Sequence, residues 1–119
     1  MHSDKLSILS LRSTVNIESV TVAGLEHPVH VKGLTGRERD SFENACFQQR
    51  GKQRVLSTEN IRAKLLVRSI CDDKGVRLFL DSDEAELGGL PAQTLDILFT
   101  IAQKLSGLGA TDVEELQED

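Results

Sequence analysis

Apolar residues recur along this chain with two different periods, and the change from one to the other divides it. Val15-Asn16-Ile17-Glu18-Ser19-Val20-Thr21-Val22 is rich in β-branched residues. Val15 and Ile17 alternate with polar neighbours, and the phase then slips to Val20 and Val22, the pattern of a bulge or a late strand start. Pro28-Val29-His30-Val31-Lys32 alternates again, and Pro28 suits the first position of a strand. The stretch between them contains Gly24, so the spacing predicts a β-hairpin over 15–32. A lone hairpin is marginal in water, so this one must pack on helices. Ahead of it, Leu6, Ile8, Leu9 and Leu11 are interleaved with Ser, which suits one or two helical turns or a docking arm.

From residue 35 the period is helical. Thr35 followed by Glu38 is a capping box opening a helix to about Gln49, with a narrow apolar stripe of Phe42, Ala45 and Cys46. A basic, flexible loop follows, Arg50-Gly51-Lys52-Gln53-Arg54, the one dense positive patch in the chain. Ser57 or Thr58 is expected to cap a helix running to about Ile70. Ala63, Leu66, Val67, Ile70 and Cys71 fall on one face of it, and Ile61 and Leu65 on another. Two apolar faces imply burial on two sides, by the rest of the domain or by another chain. Asp72-Asp73-Lys74-Gly75 stops that helix, and Val76–Phe79 reads as a short extended segment. Asp81 and Glu84 suggest a second capping box, before a short helix ended by Gly88-Gly89. Pro91 opens a strong helix to about Ser106, whose apolar residues cover roughly 200° of its circumference. Gly107-Leu108-Gly109 ends it, and Thr111 is expected to cap a last acidic turn. The fold class is α+β, mainly helical: an N-terminal β-hairpin followed by four to five helices. Residues 15–119 form one domain, with residues 1–14 a flexible or docking segment.

Composition narrows the function more than it names it. A chain of 119 residues buries roughly two thirds of its unfolded surface, so it needs no disulfide or metal staple. The net charge of -5 argues against a nucleic-acid binder, and four Phe without Trp or Tyr leave little with which to stack bases or sugars. No apolar run is long enough to span a membrane, and the first residues lack a signal-peptide core, so a cytosolic location is expected. Cys46 and Cys71 are then expected as free, buried thiols. Charge is polarised along the chain. Residues 1–80 hold 13 basic and 9 acidic side chains, whereas residues 81–119 hold Lys104 and 10 acids. Such polarity favours head-to-tail attraction between copies, or simply a solvated acidic end.

Catalytic and metal signatures are missing. His27 and His30 stand three apart, but zinc needs two further ligands and neither Cys is near in sequence. Counted from Asp72, a calcium loop would need Gly at Arg77 and Glu at Asp83. No phosphate loop, nucleophile elbow or His-Glu-x-x-His occurs. The expectation is a protein that binds and does not catalyse, with no catalytic, cofactor or metal residue. Its interface candidates are the surplus apolar positions Ile61, Leu65, Leu66, Ile97, Ile101 and Leu105, with Arg50, Lys52 and Arg54 facing an acidic partner.

Four stretches taken in order carry a resemblance. They are Val29–Glu43 with its Gly-Leu-Thr-Gly-Arg-Glu-Arg-Asp, Asn60–Phe79, Asp83–Ala92, and Lys104–Leu116 with its Gly-Leu-Gly-Ala-Thr-Asp-Val-Glu-Glu-Leu. In this spacing the chain resembles the tail assembly chaperones of long, non-contractile-tailed bacteriophages, over about residues 15–117. The resemblance implies a factor of the host cytoplasm, absent from the mature virion. Such a factor keeps the tape-measure protein soluble and promotes polymerisation of the tail-tube protein around it. It also implies self-association into a homo-oligomer and a longer, frameshift-extended form, with no nucleic acid, membrane or cofactor involved. Two other readings compete: a head–tail connector or neck protein that stays in the particle, and a small acidic regulatory adaptor.

Overall fold

The computed structural model describes residues 4–108. The α+β class holds: a β-hairpin comes first among the regular strands and helices follow. A short helix, α1 (Lys5–Leu9), and a turn of 3-10 helix, Ser10–Ser13, precede it. Strands β1 (Ile17–Val20) and β2 (Val29–Lys32) pair antiparallel, with Ile17 opposite Lys32 and Val20 opposite Val29. The strand therefore starts late, at the third residue of the run, and the phase slip falls inside it without a bulge, since its four residues pair in unbroken register.

Helix α2 (Gly36–Ala45) begins as its sequence dictates. The Glu38 N–H donates to Thr35 Oγ1 at 3.2 Å, and the Thr35 N–H donates to Glu38 Oε1 at 3.0 Å. It ends four residues before the expected Gln49. Phe47–Arg50 and Gln53–Leu56 instead pair as a second hairpin, β3 and β4, in register Phe47 to Leu56 and Arg50 to Gln53. The physical reason is the turn: Gly51 takes φ 64°, a conformation cheap only for Gly, and a two-residue loop then closes. The expected flexible basic loop is thus the tip of a paired ribbon.

Helix α3 (Ile61–Ser69) is the centre of the molecule. Every residue in it except Arg62 is buried. Its cap is neither Ser57 nor Thr58. Asn60 occupies the position with φ 54°, and its Nδ2 donates to the Glu84 carbonyl at 2.7 Å. Ser57 Oγ accepts instead from the Glu59 N–H. The chain leaves α3 directly into β5 (Ile70–Cys71), which pairs with β2 and completes a three-stranded sheet in the order β1-β2-β5. Gly75, at φ 89°, makes the turn after it, and Arg77 bridges back to Cys71.

A turn of 3-10 helix at Asp81–Asp83 leads into α4 (Glu84–Leu87). The capping box expected from Asp81 and Glu84 is replaced. Asp83 accepts from the Leu80 N–H at 2.8 Å, because Asp81 and Glu84 are both drawn to arginines. Pro91 precedes α5 (Ala92–Leu105). That helix closes with Gly107 at φ 71°: the Leu108 N–H donates to the Gln103 carbonyl at 2.9 Å, and the Gly107 N–H to the Lys104 carbonyl at 3.2 Å. Leu108 is folded into the core by this motif. The acidic turn expected from Thr111 lies outside the described residues.

One close approach fixes the sheet against the helices. A Cβ on Gly33 would sit 2.5 Å from the Leu105 carbonyl oxygen, and the Leu34 N–H donates to Ser106 Oγ at 3.1 Å. The exit of β2 thus lies directly on the end of α5. Val31, Phe42, Leu65, Leu66, Val67 and Ala102 fill the space between, all fully buried. Cys46 and Cys71 are both buried and unpaired.

Candidate functional site

Three charged side chains on or beside α3 are buried, and each is satisfied. Arg68 is 3% exposed. Its guanidinium donates to the Lys64 carbonyl at 2.6 Å, Ser41 Oγ at 3.0 Å and Glu84 Oε1 at 3.2 Å. Lys64 Nζ donates to the Glu59 carbonyl. Lys32 Nζ meets Glu38 Oε1 at 2.5 Å. Burial alone would raise the Glu38 carboxyl, but the Lys32 bond, the Thr35 N–H and the Lys32 charge outweigh it, and its pKa lies below the ordinary value. Arg77 likewise holds Asp81 low, against a small burial effect, with Arg68 adding to it. Arg68 ties α3 to α2 and α4, and Lys32 ties β2 to α2.

An open, apolar groove of about 820 Å³ lies elsewhere. Its walls come from three places. The first hairpin supplies Val22 and Leu25 from its loop and Val29 from β2, the segment after β5 supplies Leu78 and Phe79, and the junction of α4 and α5 supplies Leu90. Leu25 and Leu78 are more than half exposed, and Leu90 is also in solvent. Backbone alternation explains Leu78: Arg77 and Phe79 turn inward, so Val76, Leu78 and Leu80 turn outward, all three strongly exposed. The rim is polar, with Glu26, His27, His30, Asp72 and Asp73. Asp72 Oδ1 accepts the N–H groups of Val76 and Lys74, which hold its carboxyl below the ordinary range, so the rim keeps its negative charge. Cys71 also lines the groove, but burial pushes its thiol pKa up and leaves it protonated at neutral pH. Among the described residues no group of three His, Cys, Asp or Glu converges on one point. The arrangement can hold an apolar segment.

The interface candidates separate into three sets. Ile61, Leu65 and Leu66 are core residues, Leu65 and Leu66 with no exposure at all, and present no surface to a partner, contrary to the expectation from the sequence. The second apolar face of α3 is used inside the chain, because α2, α4 and α5 surround the helix. Ile97 is half exposed, whereas Ile101 and Leu105 lie half-buried against the core. Arg50 and Lys52 are exposed at the tip of the second hairpin. Arg54 is turned back: it donates to Asn44 Oδ1 at 2.5 Å and lies over the Phe47 ring at 4.2 Å. The groove itself was missed in the sequence. The available signal was Val76, Leu78 and Leu80, apolar at every second position opposite an inward Phe79, an alternation that leaves one apolar set in water whichever face is buried.

No family model, curated protein or solved structure matches this chain.

Proposed function

We propose that this protein is a phage tail assembly chaperone, a binding protein and not an enzyme. It takes up apolar segments of the tape-measure protein, keeps that protein soluble, and supports polymerisation of the tail-tube protein around it in the host cytoplasm. The observation that supports this reading best is the open groove: apolar walls with Leu25, Leu78 and Leu90 in solvent, and a charged rim. Contiguous exposed apolar surface of this kind marks a site for another polypeptide, and a groove of this shape suits the apolar face of a client helix. The client's identity comes from the resemblance of four stretches of the sequence to that family. The client surface is the groove and not α3. The frameshift-extended form and the absence from the virion belong to the same reading.

Co-expression with the tape-measure protein of the same phage tests it. The client is expected in the soluble fraction with this chain and in the pellet without it. A chain carrying Leu78→Asp and Leu90→Asp is expected to lose that effect while remaining folded. A client insoluble in all three cases sinks the reading, and recovery of this chain from purified virions supports a connector in its place.

A further inference from the structure

The walls of the groove are apolar, but its rim carries charge of one sign on one side. Among the described residues, the carboxylates of Glu26, Asp72 and Asp73 line it, and no Lys or Arg does. All three acids come from the sheet side: Glu26 from the loop of the first hairpin, Asp72 and Asp73 from the turn after β5. The facing wall, built from α4 and the first half of α5, lends the groove no charged side chain. Lys74, in the same turn as the two Asp residues, does not line it, and the charge of Lys32 is taken up by Glu38. We infer that the groove selects its occupant by charge: it takes an amphipathic helix with Lys or Arg along one edge of the apolar stripe, and rejects a helix with acids there. This deepens the reading of the groove as the client site and rests on it.

The backbone around the groove sets the form of the occupant. Strand β2 is paired on both edges, with β1 and with β5. The far side of β5 is met by Arg77, where the Asp72 N–H donates to the Val76 carbonyl and the Leu78 N–H to the Ile70 carbonyl. An extended segment entering here finds no free strand edge on these walls, and apolar side chains cannot satisfy its N–H and C=O groups. A helix satisfies its own and needs only an apolar stripe to lay down. The rim then sets its charge. Glu26 and Asp73 are exposed, and Asp72 stays ionised because the Val76 and Lys74 N–H groups bond its carboxylate. Acids on one wall attract cations on one edge of the helix only, so the occupant lies with its basic edge toward the sheet. Each exposed pair adds little affinity, but acids placed against this rim turn every attraction into a repulsion, and the difference decides which segment is taken.

Labelled helical peptides test the inference, identical in their stripe of Leu and differing only along one edge, which carries Lys, Gln or Glu. Binding to the full chain is read by fluorescence anisotropy at low salt. The Lys peptide is expected to bind about tenfold tighter than the Glu peptide, with the Gln peptide between them, and the spread to narrow at high salt. Glu26→Gln with Asp73→Asn should collapse the spread and leave the affinity for the Gln peptide unchanged; Asp72 is kept, since it holds the turn. Asp40→Asn with Glu59→Gln removes the same charge away from the groove and should leave the spread intact. Leu78→Asp with Leu90→Asp should abolish binding of the Gln peptide. Equal affinities for the Lys and Glu peptides overturn the inference and leave the groove standing as a client site, as does a spread that the Asp40 and Glu59 variant narrows as much as the rim variant. A chain that binds none of the peptides, or whose Leu78 and Leu90 variant binds the Gln peptide unchanged, overturns the reading of the groove and the inference with it.

Discussion

The guanidinium of Arg68 reaches α2, α4 and the turn before α4 from inside one helix. It bonds to Ser41 and Glu84 and lies 3.5 Å from Asp81. Removing it strands Glu84 beside a buried void. Arg68→Ala is therefore expected to cost about 3 kcal/mol, read as a lower urea midpoint with circular dichroism as the signal. Glu38 makes a different prediction. Its folded pKa lies below the ordinary 4.5, so its contribution is complete above that pH and is lost as pH falls through the folded value. Glu38→Gln should destabilise by about 1 kcal/mol at neutral pH, from the altered Lys32 pairing and the weakened cap. The gap from wild type should close as unfolding is measured at pH values stepped downward below 4.5. Of these two groups, only the cap was legible in the sequence. Thr35 and Glu38 lie three apart, and local spacing is visible in a string of letters. Arg68 meets Ser41 across 27 positions and Glu84 across 16. Nothing in a helical projection distinguishes it from a solvated arginine.

At the scale of elements, local chemistry decided what could be read. The first hairpin, the Gly88-Gly89 stop, the start of α5 beside Pro91 and the Gly107 terminus all follow from residues adjacent to the event. The second hairpin did not, because Phe47–Arg50 continues a plausible helix and only the turn at Gly51 reverses it. The same holds for α3. Its two apolar faces were legible, but their partners are α2, α4 and α5 of the same chain, which no periodicity can identify. Helix and sheet meet most closely at Gly33. A methyl group there would strike backbone and not a movable side chain, so the β2 exit and the end of α5 must separate. Gly33→Ala is expected to destabilise by about 2–3 kcal/mol, measured by thermal unfolding.

The whole molecule divides into a closed half and an open one. The closed half is α3 with its surrounding helices and the face of the sheet, where polar groups are satisfied and apolar ones sealed. The open half is the groove, the arm and the tip of the second hairpin. Substitutions in the open half should leave the fold intact. Arg50→Glu with Lys52→Glu is expected to change unfolding free energy by less than about 0.5 kcal/mol in a urea titration. Leu78→Asp with Leu90→Asp should be as harmless to stability, yet should abolish the binding of an environment-sensitive apolar dye by the native protein. Wild-type dye binding that survives this change would place the receptive surface elsewhere, around Ile97.

The enclosure of α3 also bears on how this sequence can drift. From Ala63 to Cys71 every position faces other atoms of the chain, so a saturation library sorted for folded protein should come back almost invariant across those nine codons. Arg50 and Lys52 at the ribbon tip, on either side of a retained Gly51, and residues 5–12 should come back far less restricted. Descendants of this protein would then diverge fastest at the exposed ribbon tip and slowest along the rod they are built around, and distant kin would be recognisable by that rod alone.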